Sequence, residues 1–223
     1  MKITALLPMK GHSERVPNKN MRLFCGRPLY HCVAGVLQKS TLVSSFVINT
    51  DSREIAEDAR RHFSKVRVNE RPEHLCGDFV PMNDIIGCDL SASTGEHFLQ
   101  THSTNPLLTI NTLEKAIRDY FAGIGVYDSL FSVTRLQSRL YWESGAPVNH
   151  NPQELLRTQD LPPLFEENSN FYLFSKASFA AAGNKRIGLS PKMFEVNKLE
   201  AVDIDEEEDF QLAELLFKSR VRK

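Results

Sequence analysis

Short apolar runs alternate with segments of helical spacing along most of this chain, and that rhythm restricts the fold more than any other feature. Ile3–Leu7, "SFVINT" (Ser45–Thr50), "KVRVN" (Lys65–Asn69), "HFLQT" (His97–Thr101), "SLFSVT" (Ser129–Thr134) and "NFYLFSK" (Asn170–Lys176) read as strands. Between them, Pro28–Lys39 places Leu29, Cys32, Val33, Val36 and Leu37 at helical spacing, and Pro81–Leu90 and Thr112–Phe121 read as further helices. Asp51 with Glu54, and Asn111 with Glu114, stand as capping boxes at two helix starts. A β-α-β-α order predicts an α/β fold with a mostly parallel sheet covered by helices on both faces. In such sheets ligands collect beyond the carboxyl ends of the strands.

The rhythm breaks once. Residues 136–168 have proline-punctuated, mixed-polarity sequence with no clear helix, which is long for an unstructured connection inside a compact domain. They read as an excursion packing on a partner subunit, with Tyr141 and Trp142 as interface aromatics rather than a base-stacking platform. "KLEAVDIDEEEDFQLAELLFKS" then ends the chain as a strand, an acidic corner and an amphipathic helix. At 223 residues the expectation is a single domain, 1–223, with the one elaboration at about 136–168.

A net charge of −1 gives no global field for nucleic acid or anionic lipid, so any anion site must be local. The amino terminus runs straight into strand-like residues, and no 18-residue apolar segment exists to span a membrane. Cys25, Cys32, Cys76 and Cys88 show no CxxC spacing and read as reduced thiols of a cytoplasmic protein. His31 beside Cys32, and His74 near Cys76, lack further ligands for a zinc site at sequence level.

The local site is visible at the start of the chain. The loop after the first strand, "PMKGHSERVPNKNMR", holds Lys10, Arg15, Lys19 and Arg22 against a single acid, Glu14. Gly11 offers backbone freedom and Ser13 a donor, so donors and positive charge surround one place, as a phosphate chain requires. A solvated basic loop is the plainer reading of the charge, although Pro17 and Pro28 stiffen the segment. Neither a P-loop nor a dinucleotide fingerprint is present. Near the other end, Asp203 and Asp205 are spaced to face one side of a strand, a hard-oxygen pair suited to Mg²⁺. Asp205 also reads as a cap of the last helix, with Glu208 closing the box.

"LLPMKGHSERVPNKN", "RPEHLCGDFVPMNDII", "LQTHSTNPLLT" and "EAVDIDEEEDFQLAE" together resemble, in order, the motifs of the acylneuraminate cytidylyltransferases, the CMP-sialic acid synthetase family, related to the Kdo cytidylyltransferases. The resemblance covers the whole chain, and its first and last blocks are the specific ones. It implies a three-layer, nucleotide-diphospho-sugar transferase-like domain with a dimerisation insert, and so a homodimer. It implies an enzyme that joins CMP from CTP to the anomeric hydroxyl of an acidic 2-keto sugar, with Mg²⁺ as cofactor. On that likeness Lys10, where the family carries Arg, and Lys19 hold the triphosphate and rank with Asp203 and Asp205 as catalytic; Gly11, Ser13, Arg15 and Asn20 complete the nucleotide side. Arg71 matches an arginine near the cytosine, and Asp203 and Asp205 match the metal-binding D-x-D.

The sugar side follows from the same likeness. Either Gln100 or His102 stands for the family's sugar-contacting glutamine, and Asn105 belongs to that motif. Arg157 sits in an R-x-Q-x-L-P of the insert, Asn168 keeps an asparagine, and Glu166 replaces an arginine. A carboxylate in that place predicts that N-acetylneuraminate is a poor or secondary substrate and that a nonulosonate of the legionaminate or pseudaminate kind is at least as good. Two rivals stand beside this reading. One is the same scaffold serving GTP, Kdo or a hexose 1-phosphate; the other is a non-catalytic nucleotide-binding relative.

Overall fold

The computed structural model describes residues 2–221. In chain order the elements are β1 (Ile3–Leu6), β2 (Leu23–Phe24), β3 (Arg27–Pro28), α1 (Tyr30–Lys39), β4 (Val43–Thr50), α2 (Arg53–His62) and β5 (Val66–Glu70). There follow α3 (Met82–Ser91), β6 (His97–Thr101), α4 (Ile110–Ala122), β7 (Ser129–Leu136) and β8 (Leu164–Ser175). The chain closes with α5 (Lys176–Ala181), β9 (Pro191–Glu195) and α6 (Glu207–Val221).

One seven-stranded sheet runs in the order β5-β4-β1-β6-β8-β7-β9. β1 pairs in parallel with β4 and β6, β4 with β5, and β7 with β9. β8 runs antiparallel to both of its neighbours. The expected α/β class with a mostly parallel sheet therefore holds. Adjacent residues of the central strands bury themselves in different clusters because a strand alternates its faces. Ala5 and Leu7, Phe46 and Ile48, Leu99, and Phe171 and Leu173 pack on one face with α1 and α4. Leu6, Val47, Phe98, Tyr172 and Phe174 pack on the other with α3 and α5. Burial on both faces explains the near-continuous apolar runs in the sequence.

Several local expectations need correction. The α2 cap is Ser52, whose hydroxyl accepts from Ile55 N, rather than Asp51. The α4 cap is Thr109 rather than Asn111. Residues 201–205 form no strand; Ile204 packs on Val16 and Phe24 beneath the opening loop, and its N–H reaches only Thr104 O, at 2.9 Å. One edge of the sheet is formed by β9 instead, where Pro191 and Lys192 leave no apolar alternation in the sequence. The excursion is also shorter than expected, since β7 continues to Leu136 and β8 begins at Leu164. What leaves the sheet is residues 137–163, tied together by Gln137 donating to Leu161 O at 2.6 Å and Asn149 donating to Ser138 O at 2.8 Å.

Sheet order reverses direction at β1. From β1 the chain moves outward to β4 and β5, then returns to β6 on the other side. A crevice opens beyond the carboxyl ends of strands that part in this way. The loop after β1 and the turn after β6 both lie there.

Candidate active site

The loop after β1 is braced from beneath. Asn20, buried, donates to Lys10 O at 2.9 Å and accepts from the Ser103 hydroxyl at 2.6 Å, joining the β1 and β6 ends. Both ends of its amide are thus engaged with protein, so Asn20 positions the loop. Val16 and Phe24 anchor it against Ile204, Phe210 and Ala213. Gly11 is needed for close approach rather than for an unusual φ, because an added Cβ would lie 2.8 Å from Ser52 Cβ. Its N–H donates to Asp51 Oδ1 at 2.6 Å. Arg71 is buried under the same loop, donating to Met9 O and to Asn49, while its Nη1 meets no acceptor among the described residues.

The loop and the acidic corner meet. Arg15 lies 2.7 Å from Asp205 Oδ1, and Lys19 Nζ donates to Ile204 O at 2.5 Å and sits 3.9 Å from Asp205. Arg22 grips Glu207 with both Nη atoms, at 2.5 and 2.7 Å, and stacks over Phe210. Lys10 pairs with Asp78 at 2.8 Å. Burial lowers the Lys19 ammonium, opposed by Asp205 and Asp203. Around these groups lies an open cavity of about 380 Å³, lined in part by Lys10, Ser13, Arg15, Lys19, Asp78 and His102.

Asp205 does not cap α6. Its carboxylate turns to Arg15, and Asp209, not Glu208, accepts from the N–H groups of Asp205 and Glu206. Asp203 is largely buried, and its Oδ1 meets no donor among the described residues. Burial raises its carboxyl, against the pull of the Thr104 hydroxyl and the Lys19 charge. A carboxylate oxygen held from water without a donor suits a cation, so Asp203 fits a ligand of Mg²⁺, whereas Asp205 in this structure is engaged by Arg15.

The residues assigned to the sugar divide. Gln100 and His102 stand together, with Gln100 Nε2 3.0 Å from His102 Nε2. Gln100 has no exposed surface, whereas His102 lines the cavity. Asn105 faces the acidic corner instead, donating to Val202 O at 3.5 Å. Asn168 donates to Thr134 at 3.0 Å in the slipped register of β7 and β8. Glu166 is paired across the ladder with Thr134, whereas Tyr172 shares the opposite face with Phe98. Arg157 pairs with Asp160 in the exposed excursion. Within one protomer, neither Glu166 nor Arg157 comes to the Gln100–His102 group.

One residue that sequence reasoning missed does come there. Arg186, between α5 and β9, donates through Nη1 to Gln100 Oε1 at 2.7 Å and lies 3.4 Å from His102 Nε2. Its guanidinium stacks 3.7 Å from the centre of the Tyr172 ring. Burial, with Arg186 and Lys19 both nearby, pushes His102 down to about 3, so its imidazole is neutral at physiological pH. No motif marks Arg186, and only the folded contact reveals it.

Residues 4–221 match the family model described as "Cytidylyltransferase". The chain is 29% identical over 219 residues to N-acylneuraminate cytidylyltransferase A of Danio rerio, a match covering 95% of this chain and 50% of that protein. It is 24% identical over 236 residues to the pseudaminic acid cytidylyltransferase of Campylobacter jejuni, covering 98% of this chain and 97% of the other. It thus spans about half of the first relative and nearly all of the second. In fold it is similar to a CMP:2-keto-3-deoxy-manno-octonic acid synthetase solved with CTP, with a TM-score of 0.72 at 11% identity over 99% of this chain and 100% of the other. With both the cation loop and the acidic corner inside the matched span, the chain belongs to the cytidylyltransferase family.

Proposed function

We propose that the protein transfers CMP from CTP to the anomeric hydroxyl of an acidic 3-deoxy-2-ulosonic sugar, releasing pyrophosphate. The observation that carries this reading is that Arg15 and Lys19, which line the cavity, also reach Asp205 of the acidic corner, at 2.7 and 3.9 Å. Lys10, Arg15 and Lys19 line that cavity and are the groups to meet a triphosphate. The hydroxyl oxygen forms a bond to the α-phosphorus as its proton passes to solvent, the bond from that phosphorus to the bridging oxygen breaks, and pyrophosphate leaves. Positioning and charge neutralisation carry most of the catalysis in such a step. Asp203 and Asp205 would hold Mg²⁺, which supplies positive charge beside the phosphates when bound. Gly11, Ser13, Asn20 and Arg71 shape the nucleotide side.

For the sugar, both named relatives act on nonulosonates by their titles. Glu166 gives no ground within one protomer for setting N-acetylneuraminate aside, because it lies away from Gln100 and His102. The test is pyrophosphate release with CTP, Mg²⁺ and, side by side, N-acetylneuraminate, legionaminate, pseudaminate and Kdo. A second series replaces CTP with GTP. Release with CTP and at least one nonulosonate is expected; release only with GTP, or none with any sugar, overturns the reading.

A further inference from the structure

We propose that Arg186 anchors the carboxylate of the acidic sugar and so determines specificity, an inference that rests on the reaction proposed above.

The argument begins with how little Arg186 has to neutralise it. Its side chain is 19% exposed, and among the described residues the nearest carboxylate is Glu167, 3.9 Å away and beyond hydrogen-bond reach. Burial lowers the guanidinium, opposed by Tyr172 and Glu167. Its two side-chain hydrogen-bond partners, Gln100 and His102, are both uncharged. A guanidinium offers five N–H donors in a planar fork, and those two contacts use only Nη1. A mostly desolvated fork with spare donors is the group best shaped for a carboxylate, which accepts two parallel hydrogen bonds.

The fork is also held in place. Its plane stacks on Tyr172, whose own hydroxyl donates to Glu167. The chain reaches it from α5 through a left-handed turn at Gly183 and Asn184, with φ of 69° and 61°. Beyond it, Asp128 takes the N–H groups of Leu189 and Ser190 at 2.7 and 3.1 Å. Gly188 passes so close that an added Cβ would lie 2.2 Å from Asp128 Oδ1. Both ends of the segment are therefore pinned, and the guanidinium is oriented before substrate arrives, which lowers the ordering cost of binding.

Location completes the case. His102 lines the cavity just after β6, and Arg186 Nη1 lies 3.4 Å from its Nε2, so the fork stands one side chain behind that lining, apart from the loop cations. One anionic substrate meets Lys10, Arg15 and Lys19; a second anion meets Arg186. Gln100, with no exposed surface, is a positioning residue that holds the fork through its carbonyl.

The experiment uses the full chain and whichever nonulosonate the wild type prefers, as the free acid and as its methyl ester. Arg186→Met should raise KM for the acid by about ten- to a hundredfold and collapse the preference for acid over ester. CTP affinity by calorimetry should stay within about twofold, since the loop cations are untouched. Arg186→Gln, which keeps the stem on Tyr172 and a polar tip, should behave the same way and serves if the Met variant is unstable. Wild-type acid-over-ester preference in a variant that binds CTP normally overturns the role of Arg186 while leaving the reaction standing. A wild type that uses no acidic sugar overturns both.

Discussion

Asp203 keeps one carboxylate oxygen from water with no donor among the described residues, an arrangement that costs the fold free energy unless a cation meets it. Asp203→Asn should therefore abolish pyrophosphate release while leaving the melting temperature unchanged or higher. A melting temperature that falls with the activity would make Asp203 a structural group. Lys19 presents the converse case. Its ammonium is the least exposed of the loop cations that line the cavity, held between Ile204 O and Asp205. Lys19→Ala should weaken CTP binding by about ten- to a hundredfold, the worth of a charge-assisted contact to a desolvated phosphate. Titration calorimetry decides it, and unchanged affinity would return the loop to plain solvated charge. Both positions were legible in the sequence because acids and bases of unlike sign cluster there. Arg186 was not, since a lone arginine in a loop has no spacing to betray it.

At the scale of elements, α1 and α2 are joined by a buried polar contact. Asp58 accepts from Tyr30 Oη and lies 2.6 Å from His31 Nε2 and 3.1 Å from His62 Nδ1. Burial pushes the Asp58 carboxyl up, but hydrogen bonds from Tyr30 and His31 more than offset it and leave it below the usual range. A carboxyl whose folded pKa is depressed adds stability above its unfolded value near 3.9, and that stability is lost as pH falls through the folded value. Asp58→Asn should cost about 1.5–3 kcal/mol at pH 7. The gap from wild type should begin to narrow below about pH 4 and go on narrowing as pH falls through the folded value, as followed by denaturant midpoints; a gap that stays constant from about pH 7 into acid would show the tie is not ionic. The sequence announced α1 and α2 through their apolar spacing yet could not announce this contact, because Tyr30 and Asp58 meet only once the sheet has set the helices side by side. The same reason hid the caps. Ser52 caps α2 rather than Asp51, whose carboxylate is committed to the Gly11 N–H, and Thr109 rather than Asn111 caps α4 because that helix already begins at Ile110.

At the scale of the molecule, residues 137–163 leave the sheet with their aromatics uncovered. Tyr141 is 55% exposed, Trp142 65% and Leu155 93%. A second copy of the chain would cover them through a self-complementary surface. Light scattering should therefore give twice the 25.3 kDa of one chain, and Trp142→Glu should shift it toward one copy. A monomer for the wild type at micromolar concentration would remove the homodimer. The three-layer plan itself was readable from the chain because strands buried on both faces must be apolar throughout. The excursion was readable only as a departure from it. One more consequence follows from the ion pairs around the cavity. Lys10 rests on Asp78, Arg15 on Asp205 and Arg22 on Glu207. An incoming triphosphate does not fall into a bare positive well; it displaces carboxylates, exchanging one set of attractions for another. Added salt weakens both sets, over a screening length of about 10 Å at 0.1 M. The logarithm of CTP affinity should then fall with the logarithm of salt less steeply than the loop's cations imply, and Asp78→Asn, by freeing Lys10, should steepen the slope.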